Sequence, residues 1–426
     1  MKKVTTILLV LLLALSLFAG GGKESSSSSA SDGAIRITWW GNQVRNNGTQ
    51  EVINKYMELN PGVKIEAEFA DWSSYWDKLA TQAAGGMLPD IIQMDYYYIL
   101  QYATSGQLAS IDEYLDNGTI NHDNIADSVI AAGEINGNCY AMSLGNTAYA
   151  FIYDKAIVDQ AGVEIPLSPT VSDIKKISAE IYEKTGVPMY WQGGLEVLLN
   201  TARGNGSNIF EELAAGITDS SAIYFKNLEE FSKAPYHVSA ELLAEKNVLV
   251  ADQMPITDLT TWNAFTVSNG YTALLNACGG RELAICTYPI LDTADENPVF
   301  FKPTMYFSIT ETSKHKEEAA KFIDWFVNST EANAILNAER GVPINTEISA
   351  YISANLTPVD AVPFDYLTAI TDIATPIDAP PPAGWAEVEA TLLTYDDNIR
   401  YGYMTAEQAT KEFVELSQSI LKNAAN

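Results

Sequence analysis

The sequence predicts an α/β fold, and three observations carry that prediction. Between Ala34 and Gly106, three short runs of strand character are each followed by a segment whose apolar residues recur at helical spacing. One of these runs alternates Val63, Ile65, Ala67 and Phe69 with Lys64, Glu66 and Glu68, the period of two that gives a strand one polar face. Helices of this kind between successive strands act as crossover connections, which make the sheet mainly parallel. The length of 426 residues fits two domains or one large composite.

In chain order, Ala34 to Trp40 reads as the first strand. The polar break Gly41, Asn42 and Gln43 precedes a helix with Val52, Ile53, Tyr56 and Met57 at helical spacing, and Asn60-Pro61-Gly62 ends it. After the alternating strand, Ser73 or Ser74 is placed to cap a helix whose stripe is Trp76, Leu79, Ala80 and Ala83. Pro89-Asp90 leads into the strand Ile91 to Met94, and a helix over Tyr96 to Thr104 closes at Gly106. The second half repeats the grammar less regularly. Ile152-Tyr153 and Val187 to Trp191 read as strands flanking a helix from Ser172 that carries Ile174, Ile177 and Ile181 and ends at Gly186. A helix from near Ser313 buries Ala319, Phe322, Ile323 and Phe326 and leaves Lys314, Lys316, Glu317 and Glu318 in water. Pro358, Pro363, Pro376 and Pro380 to Pro382 mark a loop-rich passage. Thr405 and Gln408 have capping-box spacing before a last helix striped with Ala409, Phe413, Leu416 and Ile420.

Acidic residues outnumber basic ones 54 to 25, for a formal charge of -29. Such a chain repels phosphate backbones and anionic headgroups, so no nucleic acid is expected as a partner. Lys2, Lys3 and the apolar run from Ile7 to Phe18 form an export signal over residues 1–20, too short to span a bilayer. Residues 21–33, with Ser25 to Ser29, form a polar tether. Leu17, Phe18, Ala19 and Gly20 lead into Gly21, where a bacterial lipoprotein signal would carry its lipid-bearing cysteine. Gly21 as a replacement of that cysteine and a freely secreted form are the two readings. Cys139, Cys278 and Cys286 are an odd number without metal-like spacing. Buried inert thiols are expected, with a Cys278–Cys286 bond across Gly279-Gly280 as the alternative.

Signatures of catalysis are missing: there is no phosphate loop, dinucleotide fingerprint, HExxH or nucleophile elbow. His122, His237 and His315 are scattered in polar surroundings and read as solvated surface histidines, and no cofactor or metal is expected. With 54 acids, carboxylate pairs arise by chance and single out no glycosidase.

The aromatic residues carry the positive signal. Trp39, Trp40, Trp72, Tyr75, Trp76, Tyr96, Tyr97, Tyr98, Tyr190, Trp191, Trp262, Tyr306 and Trp385 fall at strand ends or in loops. Ligand crevices of open α/β sheets lie outside the carboxyl ends of the strands. A sugar ring stacks its C–H faces on indole and phenol rings and needs polar groups around its edge. Asn42, Gln43, Arg45, Asp71, Asp95, Asn146, Gln192 and Asn263 stand beside the aromatics and suit that edge. Any one of these rings is as readily a core residue, and Trp76 at helix spacing reads as one.

Several segments resemble the extracellular solute-binding proteins of bacterial ABC importers, in particular the carbohydrate-binding group that includes maltose-binding protein. They are Ile37-Thr38-Trp39-Trp40-Gly41, Asn60 to Ile65, Gly86 to Met94, Phe151 to Lys155, Lys314 to Val327 and Gly341-Val342-Pro343. The opening WWG, Asp71 to Ala84 and QMDYYY resemble a subgroup associated with plant cell-wall oligosaccharides such as rhamnogalacturonan fragments. Gly145 and Asn146 depart from the small hydroxylated residues usual before FIYDK. The resemblance implies a two-lobe periplasmic-binding-protein-like fold with a hinge and an interlobe ligand cleft. By alignment the N-terminal lobe takes residues 34–142 and 298–335, and the C-terminal lobe 143–297 and 336–426. It also implies an oligosaccharide ligand, ABC permease subunits as partners, a monomer, no catalysis, and a place outside the cytoplasm. By position in the resemblance Trp262 and Trp385 look like stacking tryptophans, and Trp40, Asn42, Trp72 and Asp95 line the first lobe's rim; Arg45, Asp71, Asn146, Trp191, Gln192, Asn263 and Tyr306, from the reading of aromatics and their polar neighbours, complete the expected ligand-binding set. With six arginines and a strongly acidic balance, a neutral oligosaccharide is expected over a uronate-bearing one. A secreted two-carboxylate glycoside hydrolase or lyase and a non-sugar or chemosensory binding protein remain as alternatives, separated by whether sugar is cleaved and by which solute binds.

Overall fold

The computed structural model describes residues 33–41, 43–248 and 250–424. The leader, the tether apart from Gly33, and Asn42 lie outside the described residues. The first stretch supplies β1 (Ile35–Trp40), α1 (Gln43–Leu59), β2 (Ile65–Ala70), α2 (Trp72–Ala84), β3 (Ile91–Met94) and α3 (Tyr96–Thr104). Next come β4 (Met142–Ser143), β5 (Asn146–Thr147) and β6 (Tyr149–Asp154), then helices α4 (Val171–Thr185), α5 (Leu195–Gly204), α6 (Ile209–Ala215) and α7 (Asp219–Ser232). Strands β7 (Asn263–Val267), β8 (Leu283–Cys286), β9 (Lys302–Pro303) and β10 (Tyr306–Ile309) follow. Helices α8 (Lys316–Asn328), α9 (Val362–Ala369), α10 (Trp385–Arg400) and α11 (Ala406–Ala424) complete the main elements, besides shorter helices.

Two lobes share these elements. The first is built on a five-stranded sheet in the order β2-β1-β3-β10-β4. As predicted, β1 runs parallel to both β2 and β3. The other two joints are antiparallel, because β10 and β4 enter from later passes of the chain. The apolar core of this lobe is drawn from residues 35–144 and 305–344. On α8 it takes Ala319, Phe322, Ile323 and Phe326, and burying a side chain such as Phe322 contributes roughly 1.5–3 kcal/mol.

The second lobe is built on a three-stranded sheet, β8-β6-β7, antiparallel throughout and not parallel. Strand β6 is buried on both faces. Tyr149 and Phe151 face one cluster with α4 to α7, α10 and α11. The alternate residues Ala148, Ala150 and Ile152 face a second cluster with Leu274, Phe364 and Leu367.

Several local expectations hold and several do not. Thr170 caps α4 in a complete capping box with Asp173, and left-handed Gly186 ends it. Thr405 and Gln408 exchange the expected bonds before α11. The cap of α2 is Asp71, not a serine, because its carboxylate accepts from both the amide and hydroxyl of Ser74. Leu416 is exposed, the buried stripe of α11 passing instead through Val414, Ser417 and Leu421. Pro363 occupies the first turn of α9, where its missing N–H costs nothing, so the proline-marked passage contains a helix.

Val187 to Trp191 is not a strand. Met189 alone bridges to His237, the Pro188 carbonyl accepts from the Trp262 amide at 3.1 Å, and side chains pair with Tyr190 and Trp191. Asn263 accepts from the Tyr190 amide and donates to its carbonyl, both at 2.8 Å. The three cysteines are buried and unbonded. Among the described residues, no helix is long and apolar enough to cross a membrane.

Three passes of the chain lie side by side where the lobes join. Strand β5 pairs antiparallel with β9 through Thr147 and Lys302. On the other strand edge, Asn146 and Val342 exchange backbone bonds of 2.7 and 3.1 Å. The approach is close at Gly145: a Cβ there would sit 2.1 Å from the Arg340 carbonyl oxygen, so only glycine fits.

Candidate functional site

The carboxyl ends of β1, β2 and β3 bring together the first group of aromatic residues. Trp40 ends β1, and its ring meets Trp72 edge-on at 4.9 Å and Trp76 at 5.5 Å. Trp76 stacks on Tyr98 at 3.8 Å, so the cluster spans the starts of α2 and α3. Trp40 itself is buried beneath the others, while Trp72 keeps 45% of its surface exposed. Asp71 and Asp95 serve as helix caps at this edge, Asp95 accepting from the Tyr97 amide at 2.9 Å. Burial pushes the Asp95 carboxyl up, against the backbone bond and the nearby Lys302, which pull it down.

Next to this cluster lies a narrow slot. Tyr96 and Tyr97 form its first-lobe wall; Tyr149, Phe210, Phe300 and Pro381 are among the residues opposite. The Tyr96 hydroxyl donates to the Asp378 carbonyl at 2.5 Å, bridging the two sides. Arg203 pairs with Asp378 at 2.8 Å and lies 4.7 Å from the Phe300 ring centre. The Lys302 ammonium lies 5.8 Å from the Tyr97 ring centre. Trp385, at the start of α10, is buried edge-on against Phe210 at 4.6 Å, with its indole N–H lacking a partner among the described residues.

The rest of the expected set divides. Asn146 lies in the lobe junction, buried, with its side-chain oxygen lacking a partner. Trp191 stacks flat on Phe231 at 4.0 Å, and Gln192 beside it is buried with an unsatisfied side-chain oxygen. Arg45 is ion-paired with Glu339 at 3.0 Å and thereby ties α1 to the last of the three passes.

Trp262, Asn263 and Tyr306 are corrections, since none has any exposed surface. Trp262 packs on Phe151, Asn263 is consumed by the Tyr190 backbone, and the Tyr306 hydroxyl donates to the Ala132 carbonyl at 2.7 Å. Strand-end position placed them in the ligand set, but these side chains point beneath the sheet edge and have no face left for a ligand. His237 is also no surface histidine. It accepts from the Trp191 amide at 3.0 Å, and burial pushes its pKa down to about 4.

A buried network fixes the turn that carries Trp191 and Gln192. Asp396 of α10 accepts from the Gly194 amide at 2.7 Å and from the Tyr224 hydroxyl at 2.8 Å. Arg400 donates to the Trp191 carbonyl at 2.9 Å. Burial raises the Asp396 carboxyl to about 6 despite Arg400 and these bonds. A Cβ on Gly193 would lie 2.4 Å from the Asp396 carboxylate.

Tyr149, Phe210, Phe300, Lys302 and Asp378 escaped sequence reasoning. Nothing local to Tyr149 or Phe300 marks them, because only the meeting of separated segments brings them to a common space. Tyr96 and Tyr97 were visible as strand-end aromatics.

The arrangement has parts suited to a polar ring: aromatic side chains on both sides of the slot, buried polar atoms without partners among the described residues, and a junction made of antiparallel passes. Among the described residues, no group of three or more potential metal ligands clusters. The family model described as bacterial extracellular solute-binding protein matches residues 40–333. The maltotriose-binding protein of Pyrococcus abyssi is 22% identical over 332 residues, covering 74% of this chain and 68% of its own. A solved structure of an extracellular solute-binding protein family 1 member from Alicyclobacillus acidocaldarius aligns at a TM-score of 0.82 with 24% identity, over 92% of this chain and 98% of that one. An oligogalacturonide-binding protein of Yersinia enterocolitica, solved with saturated digalacturonic acid, aligns at 0.68 with 19% identity, over 92% of this chain and 100% of that one. At these identities the likeness to the solved structures is one of fold.

Proposed function

The chain belongs to the bacterial extracellular solute-binding protein family, and from that premise we propose that it captures an oligosaccharide between its lobes and delivers it to an ABC permease. The observation that carries this reading is the slot walled by Tyr96 and Tyr97 on one side and Tyr149, Phe210 and Phe300 on the other. Aromatic side chains on both walls suit the C–H faces of a sugar, which the slot of about 20 Å³ admits only when the lobes part, and Asn146, Gln192 and Trp385 each carry a buried polar atom without a partner among the described residues. Trp40 and Trp72 extend the aromatic rim of the first lobe, with Asp71 and Asp95 at its edge and Trp191 behind Gln192. Arg45 acts through its ion pair with Glu339.

The lobes follow as residues 34–142 with 298–335, and 143–297 with 336–426, a division that the separate apolar cores support except at its edges, where Phe300 packs into the second core and Leu144, Leu336 and Ile344 into the first. The side-by-side passes at the junction are the hinge. Ligand touching both walls favours the closed form, which is the form a permease recognises. The family is extracellular, so the protein works outside the cytoplasm. We place it as a monomer at the outer face of the cell membrane, lipid-anchored if position 21 is natively cysteine and free otherwise.

A thermal-shift screen against an oligosaccharide panel, with product analysis on every hit, tests this reading. Ligand at about 100 times its dissociation constant stabilises the fold by about 2.7 kcal/mol, a visible rise in melting temperature. Sugar recovered intact is the expected result; cleaved sugar makes the protein a hydrolase or lyase, and silence across the panel moves the ligand to another class of solute.

A further inference from the structure

Two charged residues line the slot, Lys302 and Asp378. Asp378 is already neutralised. Its carboxylate pairs with Arg203 at 2.8 Å, and the same guanidinium donates to the Thr375 hydroxyl and to the carbonyls of Pro298 and Pro376. Lys302 has no such partner. Backbone pairing of β9 with Thr147 fixes the residue at the lobe junction, and its ammonium makes no hydrogen bond or ion pair among the described residues. It faces the Tyr97 ring, 5.8 Å from the ring centre, a weaker contact than a charged hydrogen bond. Asp95 is close enough to feel the ammonium but makes no ion pair with it, its carboxylate serving as the cap of α3. Glu196 and Glu389 are felt by the Tyr97 hydroxyl, yet neither lines the slot.

Two other lining residues add donors. The hydroxyls of Tyr97 and Tyr149 have no partner among the described residues, and Tyr149 is only 9% exposed, which leaves its hydroxyl little water to turn to. Burial pushes both hydroxyls up in pKa, so they stay protonated and able to donate. The Tyr96 hydroxyl, by contrast, is spent on the Asp378 carbonyl.

An ammonium and two phenolic donors, beside a carboxylate that is already paired, make a receptor for an anionic oxygen. When the lobes shut on a ligand, a neutral sugar leaves the ammonium desolvated without a counter-charge, whereas a sugar carboxylate supplies one. The net charge of -29 opposes anions at a distance, but water and salt screen it, and contact inside the slot is decided by the lining. We propose that Lys302 is a specificity-determining residue that pairs with a carboxylate on the ligand, so that the slot takes a uronate-bearing sugar in preference to a neutral one. This assignment rests on the capture reading and reverses the expectation drawn from overall charge.

Calorimetry on the full chain tests it by comparing digalacturonate with its methyl ester, which keeps the shape and loses the charge. Wild type is expected to bind the acid about tenfold or more tighter, the worth of roughly one charge-assisted hydrogen bond. K302Q is expected to lose about tenfold for the acid and little for the ester, and K302R to keep the preference. An ester that binds wild type as tightly as the acid, or an unchanged preference in folded K302Q, overturns the proposal while leaving sugar capture intact. Neutral xylose, glucose or galactose oligomers that bind where digalacturonate does not have the same meaning. If no sugar of either kind binds wild type, the capture reading itself falls. Should K302Q fail to fold, the comparison of acid with ester on wild type decides the charge of the ligand, and acetylation of Lys302 by acetic anhydride, read by peptide mass spectrometry, decides the residue. Bound digalacturonate is expected to slow that acetylation severalfold, and an unchanged rate overturns the role of Lys302.

Discussion

Arg340 shows how much a single residue can hold without announcing itself. Its guanidinium is buried, donates to the Gln93 side-chain oxygen and to Thr49 at 2.7 Å, and lies 5.6 and 5.5 Å from the ring centres of Phe307 and Phe326. No carboxylate pairs with it among the described residues, and burial lowers its pKa to about 9. Arg340→Ala leaves two rings without packing and two polar groups without a partner. A loss of about 3 kcal/mol or more is expected in urea unfolding, with Arg340→Met recovering about half by restoring volume without charge. Nothing local to Glu339-Arg340 marks this role, because Thr49 and Gln93 stand 291 and 247 residues away. Asn263 failed as a ligand candidate for the same reason, its partner Tyr190 being 73 residues distant. By contrast Trp40 and Trp72 were legible as neighbours, since each stands at the end of its own strand.

At the scale of elements, what depends on adjacent residues was readable. The first three strands, their helices and the boxes at Thr170 and Thr405 all follow from short-range periodicity and capping. The stretch 187–191 was not, because its backbone pairs with side chains and isolated backbone groups distant in sequence. His237 and Asp396 hold this stretch and the turn after it with opposite pH responses. His237 titrates near 4 when folded and near 6.5 when unfolded, so the unfolded chain binds more protons and stability is lost as pH falls between those values. Asp396 titrates near 6 when folded and near 3.8 when unfolded, so the folded chain binds more protons and stability is lost as pH rises through that window. Each shift corresponds to about 3 kcal/mol at most. The two largely cancel in the native protein. Asp396→Asn is therefore expected to steepen the loss of stability from pH 6.5 to 4, and His237→Gln, which keeps an acceptor for Trp191, to flatten or reverse it. Urea midpoints at four pH values check both slopes.

For the whole molecule, the two-lobe plan was legible only through resemblance, since sequence periodicity does not say which strands return to which sheet. The second sheet is antiparallel, and β10 joins a sheet whose other members lie some two hundred residues earlier. The slot inherits that difficulty, because its walls come from five separated segments. The passes at the junction have a mechanical consequence. Beyond the exposed residues Asp295 and Glu296, the chain still supplies β10 to the first sheet and α10 and α11 to the second core. The halves are thus laced together and not merely strung on one thread. A chain cut by a site-specific protease at an inserted sequence beside Asp295 is expected to elute from a sizing column as one undivided particle, and to come apart into two fragments only in denaturant; separation in native buffer would mean that covalent continuity alone keeps the molecule whole.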